Sequence, residues 1–266
     1  MALLRYRIVD VFTDEPLAGN ALAVIPDAGG LDAATMQKIA REFNLSETAF
    51  VMSSQRPDCA ARVRIFTPYN EMEFAGHPTI GTAWVLLDEG AVPARAGEFL
   101  LEENVGAVPV FVGDGPDPLI WLRTPDVTAG PVFDRRLCAG ALGLNEDELL
   151  DIPPQLLSAG NPTIYIGLKT REAVDKAWID SAGVAAISEA GSQSGCVFVF
   201  CQVPGGVYSR MFAPDYGIIE DPATGSSTGP LAVFMMSNGL IGGEDGSGFI
   251  SEQGVKMQRR SILHVR

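Results

Sequence analysis

Residues 76–90 read GHPTIGTAWVLLDEG, and residues 225–239 read GSSTGPLAVFMMSNG. In both segments a glycine begins an apolar helical pattern, and a second glycine follows fourteen residues later. Helices commonly end at a glycine with a left-handed backbone conformation, so the second glycine is predicted to end the helix. Pro78 suits the first turn, because the N–H that proline lacks would have no intrahelical partner there. The chain therefore carries one helix twice, and we expect each copy to be the buried centre of one half of the protein.

Apolar residues at helical spacing predict the buried face of each helix. On the first helix this stripe consists of Ile80, Ala83, Trp84 and Leu87. On the second helix it consists of Leu231, Phe234 and Met235. Each helix is thus predicted to bury one apolar side.

Two further landmarks recur in the same order as the helices. The letters AGN occur at 18–20 and again at 159–161, each time before a strand-like apolar run. RIFTP at 64–68 is matched by RMFAP at 210–214. Three landmarks in one order favour an internal duplication over chance. The boundary between the halves is expected near 125–131, where proline and glycine interrupt any periodic pattern.

The remaining pattern is that of an α+β protein. Asp32 is a good N-cap for an amphipathic helix that passes through Met36, Ile39 and Ala40 to Phe43. Short apolar runs suited to strands occur at 8–12, 21–25, 63–66, 108–112, 120–122, 163–166 and 197–201. Each half is predicted to consist of several strands around or beside one buried helix.

The composition is that of a globular chain with an acidic surface. Of 266 residues, 33 are Asp or Glu and 19 are Lys or Arg, which gives a formal net charge of −14. Nucleic acids and anionic membranes attract clustered Lys and Arg, so neither is expected as a partner. No stretch reaches the roughly 20 apolar residues of a membrane span, and the first residues do not resemble a secretory signal, so we expect a cytoplasmic protein.

No metal centre is expected from the metal-binding residue types. The cysteines are Cys59, Cys138, Cys196 and Cys201, without a CxxC pair, and the histidines are His77 and His264. These residues do not form a convincing zinc ligand set. We expect four buried, reduced thiols and no metal or other cofactor.

The two glycine turns are the first candidates for a binding site. A helix N-terminus attracts anions without Lys or Arg, and Gly76 and Gly225 let a ligand approach the backbone closely. His77 can act there as a neutral hydrogen-bond donor, and Asp221 lies at the matching place in the second half. The alternative is a pair of ordinary capped helices, with Asp221 as a capping carboxylate. Because the turn is duplicated, we favour one shared site for a small anion.

Glu47 lies in NLSETAF at 44–50, between the predicted helix and an apolar strand. The simplest expectation for a glutamate in such a connector is that its side chain is exposed to solvent. Spacing alone does not identify Glu47 as catalytic.

Several motifs together resemble the PhzF family of phenazine biosynthesis-like proteins, and the resemblance runs nearly from end to end. These motifs are DVFT (10–13), GN (19–20), AREFNLSET (40–48), RIFTP (64–68), FAGHPT (74–79) and EDPATGS (220–226). Two departures are Ala21, where the family usually has proline, and MQRRS at 257–261, where it usually has Gly-Arg-Pro-Ser.

The resemblance implies the diaminopimelate-epimerase-like fold, with two pseudo-symmetric domains, each a rolled, mostly antiparallel sheet around a central helix. We expect these domains at 1–126 and 127–266, with a final strand that could cross back, a site in the cleft between them, and a homodimer. By the same resemblance Glu47 is the catalytic acid/base. The implied substrate-binding residues are His77, Asp221, Ser226, Gly76, Gly225 and Asn20.

The resemblance also implies an isomerase. Related diaminopimelate epimerases carry a cysteine at each glycine turn, whereas this chain has Ala75 and Thr224 there, which disfavours two-base thiol epimerisation. One carboxylate can move a proton between carbons of a small, cyclic or conjugated carboxylic acid. The resemblance implies that Glu47 does so, and the comparable stretch of the second half, SQSG at 192–195, shows no counterpart to it. The alternatives are a non-catalytic binder of small anions, a non-thiol epimerase and a scaffold for dimerisation.

Overall fold

The computed structural model describes residues 3–93, 97–115, 118–189, 194–242 and 248–266. The chain divides into two compact units. Unit 1 consists of Met1–Val11 and Ala21–Arg123, and unit 2 consists of Phe12–Asn20 and Thr124–Arg266. None of the described helices combines the length and the apolarity needed to cross a membrane.

Unit 1 is built on one eight-stranded sheet. Its strands are β1 (Arg7–Val11), β2 (Asn20–Ile25), β3 (Glu47–Met52), β4 (Ala61–Phe66), β5 (Glu71–Met72), β6 (Glu98–Glu103), β7 (Gly106–Val112) and β8 (Ile120–Leu122). Its helices are α1 (Ala33–Phe43) and α2 (Gly76–Asp88). The strands lie in the order β1-β2-β3-β4-β6-β7-β8, and β5 pairs with β4. The β2–β3 and β4–β6 pairs are parallel, whereas β3–β4, β6–β7 and β7–β8 are antiparallel.

Unit 2 is built on a second sheet of the same size. Its strands are β9 (Thr128–Val132), β10 (Gln155–Ser158), β11 (Thr163–Gly167), β12 (Cys196–Val203), β13 (Gly206–Ala213), β14 (Ile218–Asp221), β15 (Phe249–Gln253) and β16 (Ser261–Val265). Its helices are α3 (Arg135–Ala141), α4 (Arg171–Lys176), α5 (Ser181–Glu189) and α6 (Gly225–Ser237). The strands lie in the order β16-β15-β13-β12-β11-β10-β9, and β14 pairs with β13.

The predicted duplication is confirmed by the strand order. Strands β2 to β7 of unit 1 repeat as β11 to β16 of unit 2. The β11–β12 and β13–β15 pairs are parallel and the β12–β13 and β15–β16 pairs are antiparallel, as in unit 1. The central helix connects equivalent strands in each unit, β5 to β6 and β14 to β15. The fold is therefore α+β, with two similar curled sheets and one central helix in each, as predicted.

Both central helices begin at the predicted glycine and are 13 residues long. Helix α6 buries Leu231, Phe234 and Met235, so the predicted stripe is confirmed there. The stripe predicted on α2 is wrong. Only Ala83 of its four residues is fully buried, and Trp84 is 45% exposed.

Helix α2 packs through small residues instead. A Cβ added to Gly81 would lie 2.7 Å from Leu22 Cδ2 and 2.8 Å from Val11 Cγ2, closer than van der Waals contact allows. The glycine side of α2 therefore lies directly against β1 and β2. This close approach explains why the large side chains at 80, 84 and 87 are not fully buried.

The expectation of four buried thiols is wrong for one cysteine. Cys138, Cys196 and Cys201 are buried and free, as predicted. Cys59 is partly exposed, because it lies in a loop before β4 whose other residues are largely exposed.

We expect Gly81→Ala to destabilise the protein by about 1–3 kcal/mol, because the added methyl group would overpack the contact with Leu22 and Val11. The matched control is Gly140→Ala on α3, where an added Cβ meets no atom within 4 Å and alanine favours the helix by up to about 1 kcal/mol. Urea unfolding of both variants measures the difference. Equal free energies of unfolding would contradict the close packing at Gly81.

Candidate active site

Glu47 lies in unit 1 at the start of a buried strand. It is the first residue of β3, directly opposite Leu22 of the parallel strand β2. Helix α1 ends just before it, at the C-cap Asn44, whose left-handed backbone (φ 52°) turns the chain into the strand. The side chain of Glu47 is only 13% exposed. The simple expectation of an exposed glutamate is therefore wrong, because the connector is too short to carry it away from the sheet.

His77 lies beside Glu47. It is the second residue of α2 and is 5% exposed. Its Nδ1 is 3.1 Å from Glu47 Oε2, but the two atoms do not have hydrogen-bond geometry. His77 Nε2 and Glu47 Oε2 are both buried and have no hydrogen-bond partner in the described part of the chain. Buried polar atoms of this kind are unfavourable unless another group pairs with them, so this pair is suited to receive a ligand.

The start of α2 adds backbone donors to the Glu47–His77 pair. Its N-cap residue, Ala75, makes no side-chain capping hydrogen bond, and Gly76 is buried. The first N–H groups of a helix have no intrahelical partners and carry a partial positive charge. Unit 1 thus places a carboxylate, an imidazole and the positive end of a helix at one point.

Asp221 forms a second polar group, in unit 2. It ends β14, and its carboxylate accepts hydrogen bonds from Asn20 Nδ2 at 3.0 Å and from the Thr224 hydroxyl. Asn20 also donates to the carbonyl of Ala223, at 3.0 Å. The structure thus brings the predicted residues Asn20 and Asp221 together beside the start of α6.

Gln253 completes this group and was missed by the sequence analysis. It is fully buried on β15, and its Nε2 donates to the Asp221 carbonyl at 2.7 Å and to Thr224 Oγ1 at 3.1 Å. Its Oε1 accepts from the Thr224 N–H at 3.2 Å. Asn20, Asp221, Thr224 and Gln253 are called the Asp221 cluster below. A glutamine among polar residues near the C-terminus carries no signal that could have identified it.

Ser226 is the second residue of α6, so it is the counterpart of His77 on α2. Its side chain is half-buried, and Gly225 before it is also partly accessible. The prediction that Asp221 is the counterpart of His77 is wrong. In unit 2 Asp221 pairs with Met211 of β13, and in unit 1 Met72 pairs with Ile65 of the equivalent strand β4. Met72 is therefore the counterpart of Asp221 in unit 1.

The counterpart of Glu47 is a cysteine. Cys196 lies opposite Thr163 in unit 2, as Glu47 lies opposite Leu22 in unit 1. Burial raises the pKa of the Cys196 thiol to about 12. Of the stretch predicted to match Glu47, residues 192 and 193 lie outside the described residues. No carboxylate stands at the equivalent register position.

The divergent C-terminal segment supports the Asp221 cluster. Arg259 donates to the carbonyls of Gly19 at 2.9 Å and Ala18 at 2.8 Å, and the Gly19 N–H donates to the Arg260 carbonyl at 3.0 Å. These bonds hold the residues that precede Asn20. Gln258 has a left-handed backbone, with φ 57°, at the place where the resembled family usually has glycine.

The chain is similar to proteins of one family along almost its whole length. Residues 9–266 match the family model PhzC-PhzF, described as phenazine biosynthesis-like protein. The chain is 38% identical to an uncharacterised isomerase of Mesorhizobium japonicum, over 100% of this chain and 91% of the relative. It is 35% identical to a trans-2,3-dihydro-3-hydroxyanthranilate isomerase of Pseudomonas aeruginosa, over 98% of this chain and 90% of the relative.

A solved structure shows the same fold. The crystal structure of a phenazine biosynthesis protein of the PhzF family from Bacillus anthracis matches with a TM-score of 0.89 and 24% identity. The match covers 99% of this chain and 90% of that one. The resemblance predicted from the sequence motifs is therefore confirmed, and so is the fold that it implied.

We expect Gln253→Ala to destabilise the protein by about 2–4 kcal/mol, because it leaves buried groups of Asp221 and Thr224 without partners. The matched control is Gln202→Ala, an exposed glutamine whose side chain makes one hydrogen bond, to Leu240, and whose loss costs about 1 kcal/mol or less. Urea unfolding and hydrogen exchange at the Thr224 amide measure both effects. Unchanged protection of that amide in Gln253→Ala would contradict the role given to Gln253.

Proposed function

The chain belongs to the PhzC-PhzF family of phenazine biosynthesis-like proteins and is an isomerase of that family, and we propose that Glu47 is its catalytic acid/base. In this proposal Glu47 moves a proton between two carbons of a small, cyclic or conjugated carboxylic acid. The observation that carries it is the position of the Glu47 carboxylate, largely buried and 3.1 Å from His77 at the start of α2.

A single carboxylate is sufficient for such a shift. The Glu47 carboxylate removes a proton from one carbon of the substrate and becomes a carboxylic acid. It then returns the same proton to another carbon on the same face, so that the enzyme ends in its starting state and the substrate is an isomer. Atoms and charge balance without an oxidant, a reductant or a cofactor.

The intermediate between these steps carries negative charge spread over the conjugated acid. The N–H groups at the start of α2 are preorganised donors that favour such charge, and His77 Nε2 offers a further polar contact. We propose the same binding role for Gly225, Ser226, Asn20 and Asp221 of unit 2. Asp221 is already held by hydrogen bonds, so it would present an oriented acceptor to a donor group of the substrate.

The substrate is proposed to be a small anion. One relative is named for the isomerisation of trans-2,3-dihydro-3-hydroxyanthranilate, a cyclic acid with an amino and a hydroxyl group. That compound is the natural first probe. Other cyclic acids test whether this chain prefers a different ring.

Two other candidates make different demands on the site. An epimerase needs a second acid/base on the opposite face of the carbon, and the position equivalent to Glu47 offers only the Cys196 thiol, whose pKa is raised to about 12 by burial. A thiol with so high a pKa is a poor proton shuttle near neutral pH. A non-catalytic binder would bind the acid without exchanging its C–H protons with solvent.

We expect Glu47→Gln to lower the rate of isomerisation and of deuterium incorporation from D₂O by about 100-fold or more, because the amide cannot carry the proton. Ligand affinity should stay within about tenfold, since the amide keeps the shape of the side chain. The matched control is Glu42→Gln, an exposed glutamate on α1, which should keep full activity. Full activity of Glu47→Gln would refute the catalytic role of Glu47, and binding without exchange in the unaltered protein would favour the binder.

We expect Cys196→Ser to retain isomerisation and deuterium incorporation within about threefold. The single-base mechanism does not use the Cys196 thiol, whereas an epimerase with bases at Glu47 and Cys196 would lose the exchange made by one of them. Proton NMR of the substrate in D₂O measures which carbon exchanges in each variant. A loss comparable to that of Glu47→Gln, in a variant with unchanged stability, would favour the two-base reaction.

A further inference from the structure

Glu103, outside the proposed catalytic group, is a buried carboxyl in contact with the first turn of α2. It ends β6 and is 2% exposed. Its Oε1 lies 2.6 Å from the hydroxyl of Thr79, which follows His77 by two residues. Its Oε2 is buried and has no hydrogen-bond partner among the described residues. Burial disfavours the charged form of a carboxyl group that has one oxygen without a hydrogen-bond donor.

The contacts of Thr79 indicate where a proton lies. Thr79 Oγ1 is 2.6 Å from Glu103 Oε1 and also 2.7 Å from the carbonyl oxygen of Ala75. A carbonyl can only accept, and a hydroxyl has one proton to donate. Sharing that one proton between both acceptors would give two weak, bent bonds, whereas two full hydrogen bonds require that Glu103 is protonated and donates to Thr79, which then donates to Ala75. The distances thus describe a chain of two hydrogen bonds that ends on the N-cap residue of α2.

The duplicated unit supports the same conclusion independently. In unit 1 strands β4 and β6 are parallel, and Glu102 lies opposite Arg62. In unit 2 the equivalent strands β13 and β15 are also parallel, and Glu252 lies opposite Tyr208. The next residue in each strand is Glu103 in unit 1 and Gln253 in unit 2. Gln253 also contacts the start of its central helix, where its neutral amide donates to the hydroxyl of the N-cap residue Thr224. A protonated carboxyl is the neutral donor that most closely resembles this amide.

The electrostatic surroundings agree with a proton on Glu103. Burial raises the pKa of Glu103 to about 7. On the neighbouring strands Arg62 pairs with Glu102 at 3.1 Å and donates to Asn104 Oδ1 and to the Glu103 carbonyl, and Arg64 pairs with Glu71. On α2 the nearest titratable groups along the chain are His77, beside Glu47 of β3, and Asp88 at the far end of the helix.

We propose that Glu103 is a positioning residue of the active site, which in its protonated form holds the turn 75–79 and on ionisation releases that turn and places a negative charge beside the anion-binding end of α2. This inference rests on the proposed function for its effect on substrate. It predicts that substrate binding weakens as the pH rises through neutrality. The equivalent residue in unit 2 is Gln253, which cannot ionise, so unit 2 has no corresponding pH-dependent group at this position.

The first test needs no substrate and compares the unaltered protein with Glu103→Gln and with Glu102→Gln. Between the ordinary carboxyl pKa of 4.5 and the folded value of about 7, the folded state binds more protons than the unfolded state. Stability must therefore fall as the pH rises through this range. Urea unfolding from pH 5 to pH 8 should show this fall in the unaltered protein and in Glu102→Gln, whose missing carboxyl has a lowered pKa, but not in Glu103→Gln. Parallel curves for the unaltered protein and Glu103→Gln would overturn the assignment of the proton.

The second test follows the turn itself. Backbone NMR shifts of Gly76 and His77 should move with a midpoint near pH 7, and the step that depends on Glu103 should be absent in Glu103→Gln. Steps of equal size in both proteins would overturn the positioning role. Thr79→Val keeps the shape of the side chain and removes its hydroxyl, so it should also remove the step that depends on Glu103.

The third test uses trans-2,3-dihydro-3-hydroxyanthranilate. From pH 6 to pH 8 its KM should rise about tenfold in the unaltered protein and stay constant in Glu103→Gln, with kcat at pH 6 within about threefold in both. If both proteins turn over the substrate and their KM values change equally with pH, the inference is overturned. Absence of turnover and of C–H exchange with any cyclic acid would overturn the proposed function, while the first two tests would still decide whether Glu103 holds the turn.

Discussion

The first turns of α2 and α6 are the constraint on which the arrangement of polar residues depends. A helix leaves its first N–H groups without intrahelical partners, and neither N-cap residue, Ala75 or Thr224, makes a capping hydrogen bond with its side chain. Inside a protein such donors interact strongly with negative charge, because little water screens them. The polar residues of the candidate site all lie at one of these two turns or support it.

The duplication repeats the scaffold but not the side chains. Equivalent positions in unit 1 and unit 2 hold Glu47 and Cys196, His77 and Ser226, Met72 and Asp221, and Glu103 and Gln253. Unit 1 therefore holds two largely buried carboxyl groups, Glu47 and Glu103, and a buried imidazole, His77. Unit 2 holds a carboxylate fixed by amide and hydroxyl donors.

The sequence predicted those features that depend on neighbouring residues. Asp32 caps α1 through the Thr35 N–H, and the glycines at 76 and 225 begin helices of equal length, because capping and backbone preferences act within a few residues. The stripe on α2 failed because Gly81, which looks neutral in a hydrophobic pattern, sets how closely the helix approaches the sheet. The role proposed for Glu47 comes from a family resemblance, because spacing alone predicts an exposed residue there.

By itself, then, the sequence determined the duplication, the α+β class and the ends of the central helices, since periodicity and turn residues encode these locally. Only the tertiary structure decided that Glu47 lies against His77, that Cys196 takes its place in unit 2, and that Glu103 and Gln253 contact the central helices. These outcomes depend on strand register, which places every second side chain on one face of a sheet. A shift of one residue would turn the same side chains to the other face. Register is set by packing between residues far apart in the chain, so no local pattern records it.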